Sequence, residues 1–545
     1  MLSYFRFTMV QRILGYLFLV FMVLAFLQCA RRGNPTGGPK DVTPPQLVRA
    51  DPENMTINFK EKKIKLYFDE YVKLEDVQNQ LIVSPPLKYT PIITPQGSAN
   101  KYVEITLKDT LKENTTYTLN FGQSIVDNNE GNPNSYLTYV FSTGDYIDSL
   151  SLTGVVKDAF NKSADTFISV MLYEIDSAYT DSTVYTNPPN YITNTLDSTT
   201  IFQLNNLKAG KYAMLAVKDE AKNNVFDQKT DKIAFLRDTV FLPTDSIFLL
   251  TLFKEIPDFS FSVPTFAAKN KIIFGYQGDG ADIEIAPLTT IPDTVRTLIA
   301  KEQDKDSLNF WFTPFKADSI VFRLSSNRHQ VVDTFTVKSR KLGIDSLNVN
   351  ASQRGSVGFE EPFYLSANIP IQKIDTSQIK IINRDSTNIS ATSILDTIKN
   401  RINIDFEVTP NESYGVTILP GALEDFFGTE NDTLSYRLAT KSFADFGNLR
   451  LTLGGNVTYP LIVQLTTESG EVVREIYADI PRTFEFNNLD PLKYLARVIF
   501  DTNGNGKWDT GNYLKKIQPE RVSYYPQVIE VRANWELEQS FILSN

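Results

Sequence analysis

After residue 45, apolar residues alternate with polar residues in short runs that are separated by Gly, Asn, Asp and Pro. The run IKLYF at 64–68 shows this spacing, and so do Val103, Ile105 and Leu107. A period of two is typical of strands with one face in a core and the other in water, and helical spacing is rare here. The pattern predicts an all-β fold built as a tandem array of β-sandwiches.

These sandwiches must form without disulfides, because the only cysteine, Cys29, precedes the strand-rich region. Each domain then needs a core of its own, and the chain has room for about five domains of roughly 100 residues. The net charge of −10 disfavours nucleic acid or an anionic membrane surface as the main partner, since both select basic patches.

The N-terminal residues have the features of an export signal. Arg6 and Arg12 come before an apolar core at 13–27, and a polar, turn-rich stretch follows Cys29. The core is shorter than the roughly 20 residues of a membrane-spanning helix, and the order is typical of a secretory signal. A lone cysteine at its end resembles the bacterial lipoproteins, whose cysteine is acylated. This predicts a lipoprotein signal peptide at 1–28 and a palmitate-type lipid on Cys29.

The residues before the cysteine leave two alternatives. The lipobox has a small residue directly before the cysteine, whereas this chain has Gln28, and Phe26 also departs from the pattern. The alternatives are an uncleaved membrane anchor and an ordinary secretory signal with an incidental cysteine. All three place the bulk of the chain outside the cytoplasm. Surface-exported lipoproteins of some Gram-negative groups resemble one another in carrying acidic residues directly after the cysteine. This chain has Ala-Arg-Arg-Gly-Asn there, so the comparison favours the periplasmic face of the outer membrane over the cell surface.

A flexible tether is predicted at 29–45, followed by a first domain, A1, at 46–146. A1 contains the runs IKLYFDEYV, TTYTLNF, IVDNNEGN and YVFSTGD in this order. These motifs resemble the strands and the D-GN turn of the bacterial Ig-like domain first described in surface-layer proteins. The resemblance implies a sandwich fold and brings no catalytic residue.

A second domain, B1, is predicted at 149–252. Its run FQLNNL at 202–207, followed by GKYAMLAV, resembles the small transthyretin-like or Cna-B-type β-sandwich. The run returns 282 residues later as FEFNNL at 484–489, and a shift of 297 residues places Tyr117 on Tyr414. A repeat of this length indicates that a pair of domains was duplicated.

The duplication predicts the domain order A1, B1, X, A2, B2. X is β-patterned and of unknown type, A2 is a second Ig-like domain, and B2 is a second transthyretin-like sandwich. Their predicted ranges are 255–345 for X, 350–443 for A2 and 447–545 for B2.

One loop of B2 has the spacing of an EF-hand-like calcium loop. Oxygen-bearing side chains occupy positions 1, 3, 5 and 9, and a backbone carbonyl stands at position 7. The residues are Asp501, Asn503, Asn505, Lys507 and Asp509. Position 12 is Asn512 rather than a bidentate glutamate, so an affinity of about 10⁻⁴–10⁻³ M is expected. The alternative is a β-hairpin tip in which Asn and Gly supply positive φ.

The equivalent loop of B1 is a weaker calcium candidate, because Ala221 replaces the oxygen ligand at position 3. The candidate ligands there are Asp219, Asn223, Asp227 and Asp231. Two aromatic residues occupy the same position in the two loops, Phe226 in B1 and Trp508 in B2. We expect each of them to fill the core of its own sandwich.

The sequence shows no catalytic set. His329 is the only histidine, and this excludes His-clustered zinc sites. We therefore expect a non-enzymatic, lipid-anchored envelope protein, a rod of sandwiches that serves as a spacer or as a binding or adhesion module. Its partners would be the membrane, through the lipid, and an unknown envelope protein or glycan. The alternatives are a carbohydrate-binding surface protein and a carboxylate-based hydrolase.

Overall fold

The computed structural model describes residues 40–135, 137–195, 200–302 and 305–543. Regular structure in these ranges is almost entirely β: forty-two strands, one four-residue α-helix and three 3-10 turns. The prediction of an all-β, tandem-sandwich fold class is confirmed. Within the same ranges, no helix is long and apolar enough to cross a membrane.

The chain divides into two compact units. The first contains the described chain as far as Leu81 together with Tyr89–Glu113 and the described part of Leu119–Thr143. The second contains Ile82–Lys88, Asn114–Thr118 and everything from Gly144 onward. Most of A1 therefore belongs to the first unit, and B1, X, A2 and B2 belong to the second.

A1 has eight strands and the short helix α1 (Val77–Gln80). The strands are β1 (Leu47–Asp51), β2 (Lys63–Leu74), β3 (Ile82–Ser84), β4 (Ile92–Thr94), β5 (Asn100–Thr106), β6 (Thr116–Asn120), β7 (Ile125–Asp127) and β8 (Thr138–Ser142). In the first unit, β2 pairs antiparallel with β1, β5 and β7, and β4 adds to β5. The alternating run at 64–68 lies in β2, where Ile64, Leu66 and Phe68 are buried in the core.

B1 has eight strands in two sheets. They are β9 (Leu150–Asp158), β10 (Ser169–Glu174), β11 (Tyr191–Asn194), β12 (Ile201–Leu207), β13 (Gly210–Lys218), β14 (Lys232–Phe235), β15 (Val240–Leu242) and β16 (Ile247–Leu252). One sheet has the order β12-β9-β16, with β16 parallel to β9. The other has the order β11-β10-β13-β14, with β15 also on β13. A 3-10 turn, Asp181–Tyr185, lies between β10 and β11.

X also consists of two packed sheets. Its strands are β17 (Ser260–Phe261), β18 (Thr265–Ala268), β19 (Lys271–Gln277), β20 (Ile283–Pro287), β21 (Thr297–Lys301), β22 (Ser307–Phe312), β23 (Ser319–Ser326) and β24 (Val331–Lys338). The sheets are β17-β19-β22-β21, with β18 on β19, and β20-β23-β24. Phe274, Phe310 and Phe322 meet edge to face in the core between them.

A2 has ten strands and two 3-10 turns, Thr376–Gln378 and Phe443–Asp445. The strands are β25 (Val349–Ala351), β26 (Gly355–Ser356), β27 (Phe363–Ala367), β28 (Ile371–Ile374), β29 (Ile379–Ile382), β30 (Ala391–Asp396), β31 (Arg401–Phe406), β32 (Ser413–Ile418), β33 (Leu423–Asp425) and β34 (Leu434–Ala439). The two main sheets are β25-β27-β31-β30 and β26-β34-β32-β29, and β28 pairs with β33.

B2 repeats the topology of B1. Its strands are β35 (Gly447–Gly455), β36 (Leu461–Thr467), β37 (Val472–Ala478), β38 (Phe484–Leu489), β39 (Lys493–Phe500), β40 (Val522–Tyr524), β41 (Ile529–Glu530) and β42 (Glu536–Leu543). The sheets are β38-β35-β42, with β42 parallel to β35, and β37-β36-β39-β40, with β41 on β39. The order matches B1 strand for strand, as the duplication requires.

B1 and B2 also share two details of their turns. Asn206 in B1 and Asn488 in B2 both take a positive φ, 57° and 52°, at matching positions. In each copy a tyrosine hydroxyl closes the next turn by donating to the backbone carbonyl four residues earlier. Tyr212 donates to Lys208 and Tyr494 donates to Asp490, each at 2.9 Å. B1 and B2 thus share a backbone conformation and a side-chain hydrogen bond at matching positions. Both support the repeat independently of the strand pattern.

In the second unit each domain contacts the next one along the chain through polar side chains as well as apolar ones. The contacts are Gln228 Nε2 to Glu255 Oε2 (2.9 Å) between B1 and X, Arg296 Nη2 to Phe426 O (2.8 Å) between X and A2, and Lys441 Nζ to Asp490 Oδ1 (2.6 Å) between A2 and B2. The X–A2 contact also buries Trp311 against Ile369 and Phe426.

B2 also packs on B1, although X and A2 separate them in sequence. The buried ring of Tyr513 from B2 lies in a hydrophobic cluster on B1. The contacts of the second unit therefore form a closed cycle, from B1 through X, A2 and B2 back to B1. The prediction of a rod, in which each sandwich touches only its chain neighbours, is wrong for this unit.

Candidate functional site

The predicted lipidation site, Cys29, lies outside the residues that the structure describes. The signal peptide and most of the tether lie there too, so the lipid anchor remains a prediction. The described candidates are the loops of B1 and B2 that were predicted to bind calcium.

Asp501 organises the loop of B2. Its side chain is completely buried at the end of β39. Oδ1 accepts hydrogen bonds from the backbone N–H of Gly504 (2.8 Å) and Asn505 (3.1 Å), and Oδ2 accepts one from Gly506 (2.8 Å). Gly504 and Gly506 have φ of 73° and 77°, which L side chains rarely adopt. The loop therefore needs both the carboxylate and the glycines to make this turn.

Asp509 brings the other candidate ligands together. Its Oδ2 accepts hydrogen bonds from Asn503 Nδ2 at 2.5 Å and from Asn505 Nδ2 at 2.6 Å. A half-turn of either amide would present its oxygen in place of its nitrogen. A hard cation between the three side chains would then receive amide and carboxylate oxygens, the ligands that calcium prefers. Asn503, Asn505 and Asp509 thus lie together in the loop, and Asp501 does not join them.

Sequence reasoning missed Glu520, which holds the loop from the other side. This glutamate is only 8% exposed. Its Oε1 accepts hydrogen bonds from the N–H (2.6 Å) and the hydroxyl (2.7 Å) of Thr502, and its Oε2 accepts one from the N–H of Asp509 (3.0 Å). It lies eight residues beyond position 12 of the EF-hand pattern, so the motif does not indicate a role for it. Glu520 fixes the direction of the loop.

Hydrogen bonds within the chain occupy all these carboxylates. Across the described ranges, no group of three or more His, Cys, Asp or Glu side chains is placed to hold a metal ion. The hairpin-tip interpretation thus accounts for Asp501, and calcium remains a prediction for Asp509 and the two amides. A substitution of Asp501 therefore tests the hairpin turn, and a substitution of Asp509 tests the calcium site.

We predict that about 10 mM calcium stabilises the full chain by about 1.4–2.7 kcal/mol, as follows from a dissociation constant of about 10⁻⁴–10⁻³ M. Asp509→Asn should abolish this effect, because it removes the carboxylate on which both amides converge. The measurement is thermal unfolding with and without calcium. Asp227→Asn in the loop of B1 is the matched control and should keep the response. Identical melting of the wild type with and without calcium would rule out a structural metal here.

The loop of B1 is arranged differently. Asp231 is fully buried and accepts hydrogen bonds from the N–H of Asp227 (2.8 Å) and of Glu220 (3.2 Å). Asp219 Oδ2 accepts from the N–H of Asn224 (2.7 Å), and burial raises the pKa of Asp219. Asn223 Oδ1 instead accepts from the N–H of Val225 two residues ahead (3.1 Å). The structure therefore brings the three aspartates into one loop and leaves Asn223 in a local turn.

The segment after the B2 loop, residues 508–518, is called the docking segment because it carries the contacts with B1. Tyr513 is 2% exposed and its N–H donates to Glu255 Oε1. The flanking contacts are Thr510 Oγ1 to Lys254 O (2.5 Å), Lys516 Nζ to Asp181 Oδ1 (2.7 Å) and Gln518 Nε2 to Phe235 O (2.9 Å). The loop predicted as a calcium site is thus continuous with a domain interface.

Trp508 does not fill the core of its own sandwich, and this prediction is wrong. Its ring lies 4.7 Å from the ring of Phe160 in B1, and its indole N–H donates to Glu520 O (3.0 Å). Phe226 is buried in the B1 cluster that also receives Tyr513. Phe226 therefore fills a hydrophobic cluster of its own domain, whereas Trp508 belongs to the interface between B1 and B2.

The alternative functions find little support in the described residues. A carbohydrate-binding face needs exposed aromatics in a row, but of the three tryptophans Trp311 is buried, Trp508 is partly buried and Trp535 is 47% exposed. A cleft of about 240 Å³ lies between X and A2, and Glu302 is the one carboxylate among its described lining residues. His329 stacks on Phe259 and contacts the backbone carbonyl of Asp279. None of these places forms a catalytic pair.

Comparison with known proteins gives one family. Residues 41–143 match the profile of the bacterial Ig-like domain. No curated protein matches the chain.

Several solved structures align over long stretches at low identity. A crystal structure of an S-layer protein is 12% identical, with 89% of this chain and 67% of that chain covered and a TM-score of 0.15. The major pilin subunit of Bacillus cereus is 8% identical, with 73% and 99% covered and a TM-score of 0.13. The BSP domain of a biofilm-associated protein is 10% identical, with 86% and 95% covered and a TM-score of 0.15. TM-scores of this size do not establish a common fold. The family match over residues 41–143 stands without them and confirms that the chain contains a bacterial Ig-like domain.

Proposed function

We propose that this chain is a non-enzymatic cell-envelope protein, held at the membrane by a lipid on Cys29, that carries a rigid block of β-sandwiches. The observation that carries the proposal is the closed cycle of contacts among B1, X, A2 and B2, with Tyr513 buried between the first and the last of them. A block closed in this way suits a protein that presents surfaces at a fixed spacing. The Ig-like family of residues 41–143 is in keeping with this role.

The chemistry of the described surface supports the same function. Four clefts of the second unit have volumes of about 200–330 Å³, at the small end of ligand sites. Several of their lining carboxylates are engaged in ion pairs or hydrogen bonds; Glu360 and Glu361, for example, pair with Arg474. The block is therefore better suited to spacing and protein contact than to turnover, with an envelope protein or a glycan as the partner.

The anchor is tested by growing cells with a palmitate analogue and comparing the wild type with Cys29→Ser. We expect label on the wild type and none on the variant, because Cys29 is the only thiol available for acylation. Fractionation should place the labelled protein in the outer membrane, on its periplasmic face, where protease added to intact cells does not reach it. An unlabelled wild-type protein would refute the lipid anchor and leave the β-sandwich block unaffected.

A further inference from the structure

The cleft of about 240 Å³ between X and A2 lies beside the buried ring of Trp311. X lines it with residues of β19, β21, β22 and the β21–β22 connection, and A2 with the end of β27, the residues after it and the β30–β31 turn. Trp311 pairs with Lys271 on β19 and with Leu298 on β21, so these side chains share the face of X that packs on A2. Asn309, two residues before Trp311, lies on that face as well.

This cleft is strongly positive in a chain whose net charge is −10. Four lysines line it, against the one carboxylate of Glu302. Lys305 Nζ pairs with Glu302 Oε1 at 2.8 Å, so these two charges cancel. The other three, Lys271, Lys301 and Lys399, form no ion pair within 4 Å with a carboxylate of the described chain. The described lining residues carry a net charge of +3, against −3, 0 and +1 in the other three clefts.

The cleft also contains buried acceptors that have no donor. Asn309 is 6% exposed, and its Oδ1 accepts no hydrogen bond from the part of the chain that the structure describes. Glu302 Oε2 is buried too and has no donor in the same ranges. Unpaired buried acceptors are costly and therefore rare in native proteins. Because both residues line the cleft, a hydroxyl group of a ligand is a donor that suits this place.

The asparagines on the A2 side are fully used by the fold. Asn400 Oδ1 accepts from the N–H of Ile371 (3.1 Å), and its Nδ2 donates to Ala367 O (2.8 Å). Asn368 likewise accepts from one backbone N–H (2.7 Å) and donates to one backbone carbonyl (2.9 Å). These bonds fix the wall that carries Lys399 before a ligand arrives, which lowers the ordering cost of binding.

We propose that this cleft binds a hydroxylated anion, a sugar that carries a carboxylate or a phosphate. The lysines hold the anionic group, and Asn309 accepts a hydroxyl. This inference rests on the proposed function and deepens it, because it gives the chemistry of the glycan partner. A neutral sugar would leave the lysines unpaired, and a simple anion would leave Asn309 unpaired. An acidic peptide fits less well, because its side-chain carboxylates have no hydroxyl beside them.

The expected binding is weak and electrostatic. The volume is below the roughly 300–1,000 Å³ of most ligand sites, so one sugar unit fits better than a chain. A ligand of about 13 non-hydrogen atoms is expected to bind with a Kd of about 1 mM. Lys301, Lys305 and Lys399 are exposed, so the affinity should fall by about threefold or more between about 50 and 500 mM salt.

The test uses the full chain with Cys29→Ser, kept in a nonionic detergent that contains no sugar, and saturation-transfer NMR titrations. The probes are galacturonate and glucose 6-phosphate, and the controls are galactose, glucose and acetate. We expect a Kd of about 1 mM for the two acidic sugars. Binding of each control should be at least about tenfold weaker, because it lacks either the anionic group or the hydroxyls.

Three variants assign the roles. Lys399→Glu should weaken the binding of both acidic sugars about tenfold, because it places a like charge beside the anion. Lys380→Glu on β29 of A2 is the matched control; it is also exposed, lies outside the cleft and should leave binding unchanged. Asn309→Leu should weaken the acidic sugars about fivefold and leave acetate unaffected. Circular dichroism and melting temperature check that each variant is folded.

Several results would overturn the proposal. They are equal affinity for the acidic sugars and their neutral parents, unchanged binding in Lys399→Glu, and no binding of either acidic sugar at about 10 mM. Tighter binding of a short glutamate peptide would overturn it too and assign the cleft to a protein partner. None of these results changes the palmitate labelling of Cys29. An unlabelled wild type would likewise leave the titrations as they are, so the two failures can be told apart.

Discussion

Replacing Tyr513 with alanine is expected to release B2 from B1 and to cost about 3–5 kcal/mol of the free energy that holds them together. The ring is buried, and its centroid lies 5.3 Å from that of Phe235 and 6.4 Å from that of Tyr185. Lys516 Nζ sits 4.0 Å from its centroid, so a cation–π contact is lost as well. Hydrogen exchange should rise in the docking segment and on the B1 strands β10, β13 and β14.

Tyr513→Phe is the control that keeps the ring. It removes a hydroxyl that lies 3.3 Å from the hydroxyl of Tyr179 and 3.4 Å from Asp181 Oδ1. Burial raises the pKa of Tyr513 far above its usual value, so the hydroxyl is neutral at physiological pH. The loss should then be about 1 kcal/mol, the ordinary value of one hydrogen bond. Unchanged exchange in Tyr513→Ala would mean that B2 does not need this contact to stay on B1.

The second large effect is expected at Asp127 in A1. This side chain is 1% exposed at the end of β7. Its Oδ1 accepts from the N–H groups of Asn129 (2.9 Å), Glu130 (2.6 Å) and Gly131 (3.1 Å), and its Oδ2 accepts from that of Asn132 (2.7 Å). Asp127→Ala leaves four donors without this acceptor and should destabilise A1 by about 3 kcal/mol.

The same carboxylate makes A1 sensitive to acid. Burial alone would raise the pKa of Asp127, but the backbone hydrogen bonds, led by that of Glu130, outweigh it and lower the pKa below 3.8. A carboxyl with a lowered folded-state pKa stabilises the fold fully above its unfolded pKa. That stabilisation is lost as the pH falls through the folded value. Hydrogen exchange of β5 between pH 5 and pH 2 should therefore show A1 losing protection, and Asp127→Ala should weaken this dependence.

Two other carboxyl groups sharpen the test. Burial, followed by the charge of Asp127, raises the pKa of Glu70, so Asp127→Ala should shift the Glu70 titration toward lower pH. In A2, Asp425 accepts from only two N–H groups, those of Phe427 (2.8 Å) and Thr429 (2.9 Å). Asp425→Ala should therefore cost less than Asp127→Ala. If both substitutions lowered stability equally, the cost would not depend on the number of hydrogen bonds that each carboxylate accepts.

Strand patterns and the repeat could be predicted from sequence because their causes are local. The run FQLNNL matches FEFNNL because both copies bury alternate residues and turn at the same asparagine, and B1 and B2 accordingly have the same strand order. The A2 turn EDFFG at 424–428 lacks the Asp-x-x-x-Gly-Asn spacing of the A1 turn. Asp425 is nevertheless retained as the buried cap. It follows Asp127 by 298 residues rather than 297, because A2 has one residue more before the aspartate and one fewer in the turn after it.

The interface between B1 and B2 could not be predicted in this way. Tyr513 lies in the polar stretch TGNYLKK, which has no periodicity, and its ring packs against Phe235, nearly 280 residues earlier. Glu520 likewise stands outside any motif, and its role depends on where the chain returns after the loop. Long-range contacts of single side chains leave no pattern in the sequence.

The closed cycle of the second unit also sets an order of maturation. B1 precedes the docking segment by about 260 residues, counted from Phe253 to Tyr513, so during synthesis or export it emerges first, with its aromatic face uncovered. During this interval Tyr173, Phe235 and Phe253 are exposed to any chaperone or neighbouring chain. A chain truncated after A2 would keep that face open permanently. The second unit therefore has a built-in checkpoint, because its first sandwich is fully covered only when its fourth one has been made.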